Sequence, residues 1–239
     1  MKLHTQTTQK LPGVIAFGAI LTGFAICNTA TAGMMDEPVV TKFTVDKLEI
    51  TDGEDNPIVW ELDAWVLQDI QRLVIKSSGQ TVKGETASEN MALYGHGIAP
   101  YWDIQVGLGY DTHEDDSHTW GVVGLSGMAP YFFETDVYAL VDSDGVFGFR
   151  FATEYEALIT QKWVLSPEIE VEAYSDDIPE LKLGSGLSSV GLGIRLRYEI
   201  KREFAPYIGV EWHKTFGNTA DYHDEEFETS VVVGLRFWF

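Results

Sequence analysis

From residue 57 to its last residue the chain alternates apolar and polar side chains with period two, in runs of about ten. That period is the mark of amphipathic β-strands, and about ten residues is the length of a tilted strand crossing a bilayer. In 101–111, Trp102, Ile104, Val106, Leu108 and Tyr110 share one face, with Tyr101, Asp103, Gln105, Gly107, Gly109 and Asp111 on the other. In 163–173, Trp163, Leu165, Ile169, Val171 and Ala173 oppose Glu168, Glu170 and Glu172. Runs 147–157 and 190–200 repeat the pattern, setting Arg150, Glu154, Glu156, Arg195, Arg197 and Glu199 against apolar residues. Each run therefore has one greasy and one charged face.

Two architectures accept such runs: a soluble barrel or sandwich with the apolar face inside, and a membrane barrel with that face outside. The joins decide between them. Those near 52–57, 79–84, 111–118, 142–145, 175–187 and 217–227 read as mostly long and acidic, while those near 68–69, 98–100, 128–130, 159–161 and 201–203 are short. Alternation of long and short joins is what an outer-membrane barrel gives. The segments between them, with a poorly alternating first run at 41–51, predict an all-β, antiparallel, up-and-down transmembrane barrel of about 12 strands over 41–239, with ten as the alternative count. Aromatic residues at run ends (Trp60, Trp102, Tyr131, Trp163, Tyr198, Trp212 and Phe239) suit interfacial girdles. The final run, Val231 to Phe239, reads as the closing strand. A strand ending in Phe resembles the signal recognised by the outer-membrane assembly machinery.

Residues 1–32 have the three parts of a secretory signal peptide: Lys2 and Lys10, an apolar stretch from Leu11 to Ile26, and the small-residue site Ala30-Thr31-Ala32. A short segment, 33–40, would then precede the barrel. The single cysteine, Cys27, would leave with the signal, so the exported chain would have neither thiol nor disulfide. Removing the signal leaves 14 Lys and Arg against 37 Asp and Glu, a net charge of −23. Such a surface repels nucleic acid and concentrates cations. No apolar stretch after the signal is long enough for a membrane-spanning helix.

Several long stretches carry a resemblance. "APYFFETDVYALV" (129–141), "LSPEIEVEAYS" (165–175) and "GSGLSSVGLGIRLRYEIKREFAPYIGVEWHKTFGNTAD" (184–221) are similar to the copper resistance protein B family of bacterial outer membranes. "DNPIVWELDAWV" (55–66) and "IAPYWDIQVGLGYD" (98–111) continue the match, which covers the chain from about Asp36. The resemblance implies an outer-membrane barrel acting in copper tolerance beside periplasmic copper-binding proteins, with copper ion as bound or transported ligand. Family members often carry a Met- and His-rich segment between signal and barrel. Here that interval reads only "GMMDEP".

Cu(I) favours thioether and thiolate ligands, whereas imidazole with oxygen ligands suits Cu(II) and zinc. Met34 and Met35 are the best soft donors by adjacency. The densest polar cluster is "DTHEDDSH", where His113 and His118 flank Glu114, Asp115 and Asp116 in what reads as an outward loop. A solvated acidic loop is the competing account. His223 is a lone imidazole among acids. His213 alternates with Glu211 on the projected lumen face, and His96, two residues after Tyr94, is assigned to that face as well.

Projected inward are Glu61, Asp63, Asp103, Glu134, Asp136, Glu154, Glu156, Glu168, Glu170, Glu172, Glu199 and Glu211, against Arg72, Lys76, Arg150, Arg195, Arg197 and Arg236. An excess of acid in a narrow mouth draws cations and excludes anions. A small barrel also fills its interior with paired Arg and Glu that close it. The sequence leaves three readings: a copper-binding or copper-passing lumen, a closed barrel that docks a periplasmic copper carrier, and a general cation-preferring porin. No G-x-S-x-G, H-E-x-x-H or phosphate-loop motif occurs, so the chain does not read as an enzyme.

Overall fold

The computed structural model describes residues 38–52, 56–114, 116–222 and 227–239. The segment read as a signal peptide, residues 1–32, and Met34, Met35 and His223 lie outside them. The strands are β1 (Val40–Thr51), β2 (Ile58–Gln68), β3 (Gln71–Val82), β4 (Glu85–Ala99), β5 (Trp102–His113), β6 (Asp116–Ala129), β7 (Phe133–Val141), β8 (Phe147–Tyr155), β9 (Ala157–Leu158), β10 (Trp163–Tyr174), β11 (Gly186–Tyr198), β12 (Phe204–Thr215) and β13 (Phe227–Trp238). All pairings are antiparallel, and β1 pairs with β13 while β10 pairs with β11, so the sheet closes on itself. Both β8 and β9 pair with β10, making one stave interrupted at Glu156. Twelve staves form the wall.

The two faces divide as the alternation requires. On β5, Ile104, Val106, Leu108 and Tyr110 are exposed on the outside, while Gln105 and Asp111 are buried within. Apolar surface in contact with water is costly at about 25 cal/mol per Å². A continuous outer apolar band is therefore stable only against lipid. No helix among the described residues is long and apolar enough to cross a membrane; the strands do so.

One end of the barrel carries the tight turns at 69–70, 100–101 and 130–132, together with 159–162, 199–203 and both ends of the sheet. The other carries 52–57, 83–84, 114–115, 142–146, 175–185 and 216–226. Two joins read from sequence as long, 79–84 and 111–118, are instead two-residue hairpins. Lys83 and Gly84 both have positive φ, as a primed turn requires, and Val82 pairs with Glu85. The hairpin strands simply continue through the polar residues, because a strand end beyond the bilayer needs no apolar face.

The poor alternation of the first run has a local cause. Val45 pairs with Leu62 and Lys47 with Glu61, leaving Asp46 as an extra residue in β1. This β-bulge reverses the parity of everything after it. Lys47 and Glu49 thereby enter the lumen on the odd positions, following Thr44 on the even ones.

The lumen is filled unevenly. Val74, Met91, Leu93, Trp120, Val122, Tyr138, Leu140 and Tyr174 form an apolar cluster inside one side of the wall, completed by Ile178 and Leu181 from the 175–185 loop. That loop bends inward through a single turn, Pro179–Leu181. Burying two such side chains stabilises the inward position by about 1.5–3 kcal/mol each. The loop plugs part of the outer mouth.

Candidate functional site

A cavity of about 810 Å³ occupies the rest of the lumen, lined by twelve carboxylates and eight Lys and Arg side chains. The carboxylates stand in rows fixed by strand register. Glu134 pairs with Glu154 and Glu154 with Glu168, so three glutamates lie side by side across β7, β8 and β10. Directly opposed like charges repel. Glu134 and Glu154 make no ion pair within 4 Å among the described residues. Both lack a direct ionic partner, and Arg236 acts on them at longer range.

Where cations are present they bind several acids at once. Lys47 Nζ sits 2.7 Å from Glu168, 3.0 Å from Glu170 and 3.0 Å from Glu61. Those three glutamates form the group of carboxylates close enough to share a metal ion among the described residues. The Lys47 ammonium already fills the space between them. Arg195 joins Glu168 at 2.7 Å, Glu211 at 3.2 Å and Glu49 at 2.6 Å, and Tyr207 donates to Glu49 at 2.9 Å. A second network centres on Arg150, which donates to Asp111 at 2.6 Å and lies 3.0 Å from Glu89, with Glu172 at 3.8 Å. Trp120 donates to the same Asp111 oxygen at 2.7 Å. Nearer the short-turn end, Arg72 meets Asp103 at 3.1 Å, Lys76 bonds Asp136 and lies 3.8 Å from Asp63, and Glu156 holds both Arg197 and Arg236.

The histidines are distributed differently from the sequence expectation. His113 and His118 stand on β5 and β6 and not on an outward loop, because Asp111 pairs with His118 and His113 with Asp116. His113 lines the cavity, while His118 stacks on Trp120 at 4.4 Å and holds Asp142 at 3.0 Å. Among the described residues they belong to no group of side chains close enough to share a metal ion. His96 is corrected from the lumen to the outer face. In β4 the inward positions are Glu89, Met91, Leu93 and Gly95, so Tyr94 and His96 are exposed outside. His213 does face the lumen, on the row of Gly191.

The loop that covers the outer mouth is latched by acids outside the membrane-spanning strands. Lys182 donates to Glu114 at 2.8 Å, and this bond holds the Glu114 carboxyl below its usual range. Asp177 accepts from Asn218 and from the Ser185 amide, which likewise lowers its pKa.

Sequence reasoning missed Lys47, Glu49 and Glu89, and left Asp111 out of the inward acids although it stood on the polar face of its run. The first two were hidden by the bulge at Asp46, and Asp111 opened a join, 111–118, that read as a loop. A parity break between Thr44 and Lys47 was the available signal.

The comparisons with known proteins bear on this lumen directly. The family described as "Copper resistance protein B precursor" matches residues 39–239. The chain belongs to the copper resistance protein B family. It is 38% identical to Copper resistance protein B of Escherichia coli, over 82% of this chain and 68% of that protein. It is 37% identical to the Copper resistance protein B homolog of Pseudomonas syringae pv. tomato, over 85% of this chain and 71% of that protein. Among solved structures, the NanC porin aligns with a TM-score of 0.52 at 13% identity, over 83% of this chain and 99% of that chain. The KdgM porin aligns with a TM-score of 0.51 at 12% identity, over 84% and 99%. At such identities these porins support the fold alone. Family and fold together make this a bacterial outer-membrane barrel of copper tolerance, and the copper resistance protein B family gives its acidic lumen a context.

Proposed function

We propose that the barrel takes copper ions into its acidic lumen and holds or passes them there, without catalysis. The observation that carries this reading is the register-fixed row Glu134, Glu154, Glu168, of which, among the described residues, only Glu168 has Lys or Arg within 4 Å. A cation entering the lumen relieves repulsion already built into the wall. Anions meet the same field with opposite sign. The reading is tested by planar-bilayer reversal potentials together with copper survival of cells lacking the gene. Cation preference that falls in a Glu134→Gln, Glu154→Gln double variant, and copper sensitivity restored by the intact gene, support it. A barrel indifferent to both changes opposes it.

A closed docking barrel for a periplasmic copper carrier is favoured by one specific feature, the inward loop seated on Trp120 and Leu140. Absence of ion flux, with a soluble copper protein retained on the purified barrel, supports that alternative.

A further inference from the structure

Two adjacent rows of the lumen wall share one architecture but not one occupant. In the first, Glu168 of β10, Gly193 of β11 and Glu211 of β12 lie side by side. A side chain at Gly193 would collide with the Arg195 guanidinium, whose Nη1 is 2.5 Å from the Cβ position, because that guanidinium spans the glycine gap and bonds both glutamates. The second row, one step toward the outer mouth, is Glu170, Gly191 and His213. Here the three nearest atoms to the Cβ position are Glu170 Oε2 at 3.5 Å, Glu170 Cβ at 3.6 Å and His213 Nδ1 at 3.8 Å, and none belongs to a Lys or Arg. The strands that carry the acid and the imidazole are two spacings, about 10 Å, apart, yet both donor atoms reach to within 4 Å of the Gly191 Cβ position.

Around this gap lies a cavity of about 220 Å³, lined by Glu89, Glu170, Glu172, His213 and Thr215 among others, which shares the first four with the main lumen cavity. Thr215 is 5% exposed, and its Oγ1 is buried without a hydrogen-bond partner among the described residues. A buried hydroxyl left unsatisfied costs about 1–3 kcal/mol, so such atoms call for a partner the protein itself does not supply. The geometry points to a divalent transition-metal site over Gly191, in which Glu170 and His213 are the first two ligands and Glu172 or Glu89 the third. Glu170 is suited to it, since its Oε1 is held by Lys47 at 3.0 Å while Oε2 faces the gap. Imidazole with carboxylates is a donor set for Cu(II) or zinc, not Cu(I). Among the described residues these donors are not within ion-sharing distance of one another, and an ion that requires ligands at ~2 Å would have to draw the side chains together over the glycine. The ion takes in this row the place that Arg195 takes in the neighbouring one.

This site deepens the proposed uptake of copper and rests on it for the identity of the metal. The test uses the full-length barrel, purified in detergent without a polyhistidine tag, titrated with Cu(II) alone and followed by calorimetry and electron paramagnetic resonance. The expected result is one Cu(II) with nitrogen hyperfine coupling from a single imidazole. His213→Ala abolishes that coupling and weakens binding at least tenfold. Gly191→Val weakens it similarly while leaving every ligand in place, and heat-modifiable migration shows that both variants are folded. Equal binding by the wild type and both variants, or no Cu(II) bound by the wild type, overturns the site. Cells lacking the gene separate this from the broader reading. Copper sensitivity rescued fully by His213→Ala overturns the site and leaves the copper role standing, whereas sensitivity that His213→Ala fails to rescue supports both.

Discussion

Phe239 and Phe43 exchange two backbone hydrogen bonds of 3.0 Å each, and their rings lie 5.1 Å apart. The last residue of the chain is therefore the final rung of the β1–β13 seam. Two bonds at about 1 kcal/mol each and one ring pair at about 1 kcal/mol give Phe239 roughly 3 kcal/mol of seam stability. Deleting Phe239 is expected to lower the heat-modifiable, membrane-inserted fraction several-fold. Normal insertion of the deletion would separate this residue from both closure and recognition by the assembly machinery.

Glu49 ties three strands together. Its side chain is 0% exposed, accepts two bonds from Arg195 at 2.6 and 3.2 Å, and accepts a third from Tyr207 at 2.9 Å. Removing one partner of a buried pair leaves the other charge without compensation, at a cost of about 3–5 kcal/mol. Glu49→Ala is expected to lower the urea midpoint of the detergent-folded barrel strongly, whereas Glu154→Gln, which breaks no ion pair, leaves it unchanged or raises it. Similar midpoints for both variants would contradict the network.

The wall of this barrel was legible because lipid on one side and charge on the other impose period two, as β5 and β10 show. What was hidden depended on one inserted residue or on a strand outrunning the bilayer. Asp46 reverses parity within β1, so Lys47 and Glu49 could not be projected inward from spacing. At the hairpin ends the lipid constraint vanishes, and His113 and His118 therefore looked like loop residues while standing on strands. His96 was misplaced because β4 turns Met91 and Leu93 inward against the plug, so its apolar residues do not mark the lipid face. The Glu170–Gly191–His213 row needed strand register, which no single run contains.

The latch on the outer loop predicts a pH dependence. Glu114 and Asp177 both titrate below their usual range in the folded barrel, because the charged forms are hydrogen-bonded by Lys182 and by Asn218 with the Ser185 amide. A depressed carboxyl stabilises the latched state above its unperturbed pKa, about 4, and loses that contribution as pH falls through the folded value. Protease protection of the 175–185 loop is expected to be flat from neutral pH to about 5 and to fall below about 4. Lys182→Ala is expected to move the loss of protection to higher pH. A loop equally protected at all these values would remove the acids from the latch.

The same loop sets how open the lumen is, and the apolar cluster gives a way to move it without touching the acidic rows. Leu181 is 9% exposed and Ile178 2%, both seated among Trp120, Leu140 and Tyr174. A carboxylate at Leu181 would enter an apolar cluster whose bordering cation, Arg150, is already engaged by Asp111, Glu89 and Tyr174. A charge without its own partner is excluded from such surroundings at a cost of several kcal/mol. The wall has its own closed ladder of hydrogen bonds, so expelling the loop costs less than unfolding the barrel. Leu181→Asp is therefore expected to leave heat-modifiable migration intact while raising single-channel conductance. It also exposes Lys182 to trypsin, cutting the loop in barrels that remain inserted. A conductance equal to that of the wild type, in a variant whose loop is demonstrably cleaved, would mean that the Lys47 and Arg195 networks, and not the plug, limit passage.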